Sequence, residues 1–182
     1  MKVLLKISWE SLKWEKDFWI NSNYVKALAN TIADIKKSCD ELYIVVWGGN
    51  IYRWWDLIKW WVDPCDSHNL SMLSTVFNWV VLKNYIDATS ENAVVMSPLG
   101  INFVENYSKN NAKKHWKKWD IVILTWWTWN PFFTTDSWWV LRSIELWVDI
   151  MIKATRVNWV YDSDPEKNPD AKFFEQITYD EI

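Results

Sequence analysis

Five short runs of branched apolar residues punctuate the chain, at Val3 to Ser8, Leu42 to Val46, Ala93 to Met96, Ile121 to Leu124 and Val148 to Ile152. Each has the length and composition of a buried strand. Between the first two, Val25, Leu28, Ala29, Ile32 and Ile35 keep helical spacing, and Asn21 or Ser22 can cap a helix running to about Lys37. A second helix is predicted from about Ser67 to Tyr85, with Leu70, Leu73, Val76, Phe77 and Val80 on its packed side and Met72 in the core. The polar stretch Ser108 to Lys118 reads as a solvated helix or loop with His115 exposed. Asp162 to Asp170, holding Pro165 and Pro169, reads as a turn-rich loop, and Thr178 as the cap of a short helix. Strands alternating with helices predict an α/β fold, a largely parallel sheet covered by helices on both faces. The 182 residues suit a single domain without linkers or repeats.

Thr128 to Asp136, Thr-Trp-Asn-Pro-Phe-Phe-Thr-Thr-Asp, joins the fourth strand to the helix after it, with Asp136 as the expected N-cap. Ligands of open α/β sheets gather at such junctions, outside the carboxyl ends of strands. Two rings followed by two hydroxyls could form a flat wall and hydrogen-bond partners for a planar base. The same residues could equally be an ordinary loop with Phe132 and Phe133 in the core. Lys6, at the end of the first strand, suits phosphate contact or plain solvation. Gly48 and Gly49, after the second strand, would let backbone N–H groups approach phosphate oxygens, and Arg53 offers a guanidinium fork or a surface charge.

A formal charge of −3 gives no basic footprint for nucleic acid. Cys39 and Cys65 with two histidines cannot assemble a Cys/His metal pattern, and a reducing cytoplasm is the simplest compartment. The apolar start is interrupted by Lys6 and Glu10, so neither an export segment nor a membrane span is expected.

Tryptophan is the anomaly. The chain holds 18 Trp and 3 Gly, whereas glycine at its usual ~7% would number about 13. Trp stands in Asn78-Trp79, Lys118-Trp119-Asp120 and Asn158-Trp159 and in the doublets Trp54-Trp55, Trp60-Trp61, Trp126-Trp127 and Trp138-Trp139, and several of these are places where a turn is expected. A Trp-rich surface stacking on sugars is one reading. The other is that most of these Trp are glycines read through one codon, because UGA means tryptophan in one variant code and glycine in another.

The motifs Lys6-Ile7-Ser8-Trp9-Glu10-Ser11-Leu12, Val45-Val46-Trp47-Gly48-Gly49-Asn50-Ile51-Tyr52-Arg53, Met72-Leu73-Ser74-Thr75-Val76, Thr128 to Asp136, Lys153-Ala154-Thr155 and Asp164-Pro165-Glu166-Lys167-Asn168-Pro169 resemble, in unbroken order, the bacterial uridylate (UMP) kinases of the amino acid kinase superfamily. The resemblance implies an αβα sandwich that transfers the γ-phosphoryl of ATP to UMP, with Mg²⁺ on the donor phosphates, assembled as a homo-hexamer. It implies Lys6, Asp136 and Lys153 as catalytic residues, Asp136 orienting the lysines. Lys6, Ile7, Ser8, Trp9, Gly49, Arg53, Thr155, Tyr161 and Asp164 would meet ATP. Gly48, the position of His68, and Thr128, Trp129, Asn130, Pro131, Phe132, Phe133, Thr134 and Thr135 would hold UMP. Trp14 to Trp19 aligns with a region that binds GTP in some members, and GTP or UTP would be the effector.

Where the family has glycine, this chain has Trp9, Trp14, Trp19, Trp47, Trp54, Trp79, Trp119, Trp127, Trp129, Trp147 and Trp159. His68 and Asn158 replace family aspartates, which puts the ribose contact in doubt; Asp66 could substitute. The chain stops at Ile182, before the family's last helix and closing strands, so a C-terminally incomplete fold is expected, and with indoles at Trp9, Trp47 and Trp129 an inactive one. Another small-molecule kinase of the superfamily and a non-enzymatic Trp-rich binding module are the competing readings.

Overall fold

The branched runs become strands because each is apolar on both faces, which suits a parallel sheet covered on both sides. The structure, a computed structural model, describes residues 1–7, 20–46, 51, 54–98, 100–118, 120–125, 134–155 and 160–181. In order these form β1 (Lys2–Ile7), α1 (Ser22–Lys37), β2 (Glu41–Val46), α2 (Trp54–Lys59), α3 (Pro64–Asp87), β3 (Ala93–Ser97), β4 (Glu105–Asn106), α4 (Lys109–Trp116), β5 (Ile121–Leu124), α5 (Thr135–Leu146), β6 (Ile150–Ala154), β7 (Val160–Tyr161), β8 (Phe173–Phe174) and a 3₁₀ turn at Tyr179–Glu181. Six strands make one sheet in the order β4-β3-β5-β2-β1-β6, and every pairing in it is parallel. A separate antiparallel pair, β7 with β8, holds the later residues.

This strand order fixes the layers. From β1 through β2 to β3 the chain steps toward one edge of the sheet, and from β4 through β5 to β6 it steps back toward the other. Right-handed crossovers therefore put α1 and α3 on one face and α4 and α5 on the opposite face. The core runs through both layers, with Leu4, Tyr43, Ile44, Val45, Ile123 and Met96 essentially inaccessible. The helices α3 and α5, which follow the neighbouring strands β2 and β5, lie on opposite faces, and open α/β sheets bind ligands where successive connections diverge in this way.

Several expectations shift. The second helix starts earlier, at Pro64 behind an Asp63 cap, and is preceded by α2, which was not predicted. Its packed face differs in part: Val76 is buried and Val80 packs against the core, but Leu70, Leu73 and Phe77 are 43%, 51% and 47% exposed. Ser67, His68, Ser71, Met72, Thr75, Asn78, Trp79, Leu82 and Ile86 face inward instead, with Met72 in the core as expected. The apolar residues of the helix are spread around it rather than gathered in one stripe, so spacing alone could not choose a side. Small hydroxyls decide it, because Ser74 and Thr75 donate back to the carbonyls of Ser71 and Met72 at 2.6 Å and pack as apolar surface. His115 is largely enclosed rather than exposed, its ring nitrogens each 2.8 Å from Asp120 and Glu105. The last strand begins at Ile150, two residues later than expected, and carries Lys153 within it. After Thr178 comes a 3₁₀ turn rather than an α-helix, and the Thr178 amide and hydroxyl donate to the Glu181 carboxylate, so this hydroxyl is not spent as an acceptor cap.

Candidate functional site

β1 and β6 are register neighbours, and Lys6 lies directly beside Lys153. Side chains at paired positions of adjacent parallel strands leave the sheet on the same face, so two ammonium groups are brought together where like charges repel. Asp136 resolves the conflict. Its Oδ1 accepts from Lys6 Nζ and stands 3.2 Å from Lys153 Nζ. Lys6 is buried, whereas Asp136 and Lys153 are about half exposed.

Asp136 was expected to cap α5, and it does not. Thr134 is the N-cap, its hydroxyl accepting from the Ser137 amide at 3.1 Å, while Asp136 sits in the first turn. The lysines claim the carboxylate, and a hydroxyl one turn edge away is free to cap. The positive dipole end of the helix thus lies at the same corner as the two lysines, since Asp136 sits in its first turn, an arrangement that attracts anions.

Charge at this corner is finely poised. Burial pushes the Lys6 ammonium below the usual lysine range; Asp136 opposes that shift and Lys153 adds to it. For Asp136, burial alone would raise the carboxyl, but the hydrogen bond and charge of Lys6, with Lys153 behind it, bring it below its ordinary 3.8. Two cations share one anion, leaving a net positive charge that a phosphate could neutralise. A carboxyl depressed in the folded state contributes stability above its unfolded value and loses it as pH falls through the folded value. Stability should therefore decline below about pH 4 partly through Asp136. Thermal midpoints followed from neutral pH into acid should show a flatter acid limb for Asp136→Asn, by a modest amount because the carboxylate is half solvated.

Of the other sequence candidates, Ile7 is buried at the tip of β1 and Thr135 in the first turn of α5. Thr155 follows β6 at the same edge of the sheet as Lys6. Tyr161 and Asp164 belong to the β7–β8 unit, where Tyr161 meets Phe173 edge-on at 5.5 Å and Asp164 pairs with Lys167 at 3.1 Å. His68 lies in the second turn of α3, stacked on Trp54 with ring centroids 4.7 Å apart, and burial pushes its pKa down. Ser8, Trp9, Gly48, Gly49, Arg53, Thr128, Trp129, Asn130, Pro131, Phe132 and Phe133, the Trp14 to Trp19 segment and Asn158 lie outside the described residues. Sequence reading passed over Thr125, just beyond β5. Its hydroxyl is buried without a hydrogen-bond partner among the described residues, and no motif marked it.

Among the described residues, no group of three or more His, Cys, Asp or Glu could hold a metal ion, and no helix is long and apolar enough to cross a membrane. The profile of the amino acid kinase family matches residues 1–182. A uridylate kinase of Rickettsia felis is 41% identical over 182 residues, all of this chain and 75% of that protein. One from Methylococcus capsulatus is 39% identical, covering 99% of this chain and 76% of its own length. The crystal structure of UMP kinase from Ureaplasma parvum superposes with a TM-score of 0.91 at 33% identity, over 99% of this chain and 77% of that one. Strand order, the lysine pair at neighbouring strand tips and these similarities agree that the chain belongs to the amino acid kinase family, among its uridylate kinases.

Proposed function

We propose that the chain transfers the γ-phosphoryl group of ATP to the phosphate of UMP, giving UDP and ADP. The carrying observation is Asp136 held between Lys6 and Lys153 at the N-terminus of α5. A UMP phosphate oxygen forms a bond to the γ-phosphorus while the bond to the β–γ bridging oxygen breaks. No covalent enzyme intermediate is needed, so positioning and fixed positive charge do most of the work. Lys6 and Lys153 stabilise negative charge spreading over the transferred group, and Asp136 is the positioning residue that keeps both ammonium groups on one side of it. Lys6, being partly desolvated, gains more from a phosphate's charge than a hydrated surface lysine would. Mg²⁺ would ride on the nucleotide's own oxygens, since Asp136 is already engaged by two cations.

ATP is assigned to Lys6 through Trp9, Gly49, Arg53, Thr155, Tyr161 and Asp164, and UMP to Gly48, the His68 position and Thr128 through Thr135. The divergence of the connections beyond β2 and β5 supports that division, because the glycine and Thr-Trp-Asn-Pro-Phe-Phe segments follow those two strands directly. Assembly into a homo-hexamer, a GTP or UTP effector and a cytoplasmic location complete the proposal. The exposed Leu70 and Leu73 on α3 support contact between copies, and the free thiols Cys39 and Cys65 fit a reducing compartment. A Trp-rich surface for sugars is the weaker reading: Trp60, Trp61 and Trp147 are exposed, but Trp79 and Trp138 are fully buried, and the relatives this chain resembles are uridylate kinases.

The test uses ATP with UMP, CMP, carbamate or glutamate as acceptor, and the chain with glycine at the eleven tryptophans matched to family glycines. Turnover with UMP well above the other acceptors is expected; equal or greater turnover with carbamate or glutamate would reassign the acceptor. With indoles kept at Trp9, Trp47 and Trp129, the same assay should show little or no UDP.

A further inference from the structure

Two helices of this protein end in the same way. After α2, the amide of Trp61 donates to the Ile58 carbonyl at 3.0 Å and that of Val62 to Leu57 at 3.3 Å. After α5, the amide of Trp147 donates to Ile144 at 3.3 Å and that of Val148 to Ser143 at 3.0 Å. Both are Schellman motifs, which close a helix by sending one residue into the left-handed region, a place ordinarily taken by glycine. Here that residue is Trp61, with φ of 64°, and Trp147, with φ of 57°. Among the described residues no other non-glycine residue has a positive φ.

A side chain in that conformation drives Cβ toward the following carbonyl oxygen, and a bulky residue there is a true outlier. Packing does not compensate, because the two side chains stand 97% and 73% exposed. Gly100, a described glycine, has no positive φ, and nothing lies within 4 Å of where its Cβ would be. Among the described residues, the backbone therefore asks for glycine at Trp61 and Trp147 and does not need it at Gly100.

Indoles in the interior repeat the misfit. Trp79 and Trp138 are fully buried, and with Trp139 they leave an indole N–H without a hydrogen-bond partner among the described residues. Buried tryptophans ordinarily find such a partner. One cause accounts for an excess of one residue and a deficit of another together: 18 Trp against 3 Gly. We infer that the protein as made in its own cell carries glycine at Trp61 and Trp147, and at every other tryptophan written UGA, in a genetic code that reads UGA as glycine. The conclusion rests on backbone conformation and composition, independently of the kinase reading. Wherever Trp47 and Trp129 are written UGA, Trp47-Gly48-Gly49 becomes three consecutive glycines and Asn130 gains a glycine before it.

Peptide masses of the protein isolated from its natural cells, set beside the codons of its gene, test this. Glycine masses at 61 and 147 with UGA codons are expected; tryptophan masses there, or UGG codons, would overturn it. Independently, in recombinant protein made as written, Trp61→Gly and Trp147→Gly should each raise the thermal midpoint by about 2–4 °C. A lower midpoint in both variants would show that the fold uses these indoles, and would overturn the inference. Neither readout involves UMP phosphorylation, so failure here leaves the kinase assignment standing.

Discussion

Replacing Lys6 by methionine should lower kcat for UDP formation about 10²–10³-fold, the usual loss when one preorganised charge donor to a transition state is removed. KM should move much less, since the charge that Lys6 meets develops most fully as the phosphoryl group is transferred. The fold should survive. Lys6 is buried, its ammonium is held below its ordinary pKa by desolvation, and methionine fills similar space with no charge to solvate. An unchanged or raised thermal midpoint beside a collapsed kcat would separate this role from a structural one. A kcat within a few-fold of the parent would remove Lys6 from the chemistry. The measurement belongs in the glycine-bearing chain, where activity is expected to be measurable.

Asp136→Asn should have the second largest effect, about 10²-fold on kcat/KM through misplaced lysines rather than lost contact with substrate. The amide keeps the shape but not the charge, so Lys6 and Lys153, side by side in register, repel without a counter-ion. Unlike Lys6→Met, this change should also destabilise, by about 1–3 kcal/mol. That is less than the ~3–5 kcal/mol for breaking a fully buried pair, because the carboxylate is about half exposed and water screens its interactions. A pH profile supplies the sharper readout. Asp136 now holds the Lys6 pKa up against burial, so its loss should move the alkaline limb of activity to lower pH. An unmoved limb with normal turnover would show that Asp136 serves only the helix end.

His68 and the α3 face show where reading the chain by itself stopped. Periodicity grouped Leu70, Leu73 and Phe77 with Val76 and Val80 on one side, yet the first three are exposed while Val76 is buried and Val80 packs on the core, because apolar residues are spread around the whole helix. The choice of face depended on which side could hide Ser67, Ser71, Thr75 and Asn78, and only the sheet beneath decides that. Asp136 teaches the complementary lesson. Its position one residue inside a helix start looked like a cap, and the cap went to Thr134 because two lysines from distant strands competed for the carboxylate.

The strands were legible because β1, β2, β3 and β5 are buried on both faces, which writes itself into the chain as unbroken apolar runs. Lys6, Lys153 and the Thr128 to Asp136 segment were legible as chemistry because their residue types and order are unusual for a plain loop. So was the tryptophan excess, a matter of counting. What no linear reading could supply was the strand order β4-β3-β5-β2-β1-β6, and with it the register that sets Lys6 beside Lys153. Pairing β1 with β6 joins residues some 150 positions apart, and such contacts come from closing the sheet rather than from local preference. The left-handed conformation of Trp61 and Trp147 belongs to the same class, since φ is a property of the folded chain and not of the letter written there.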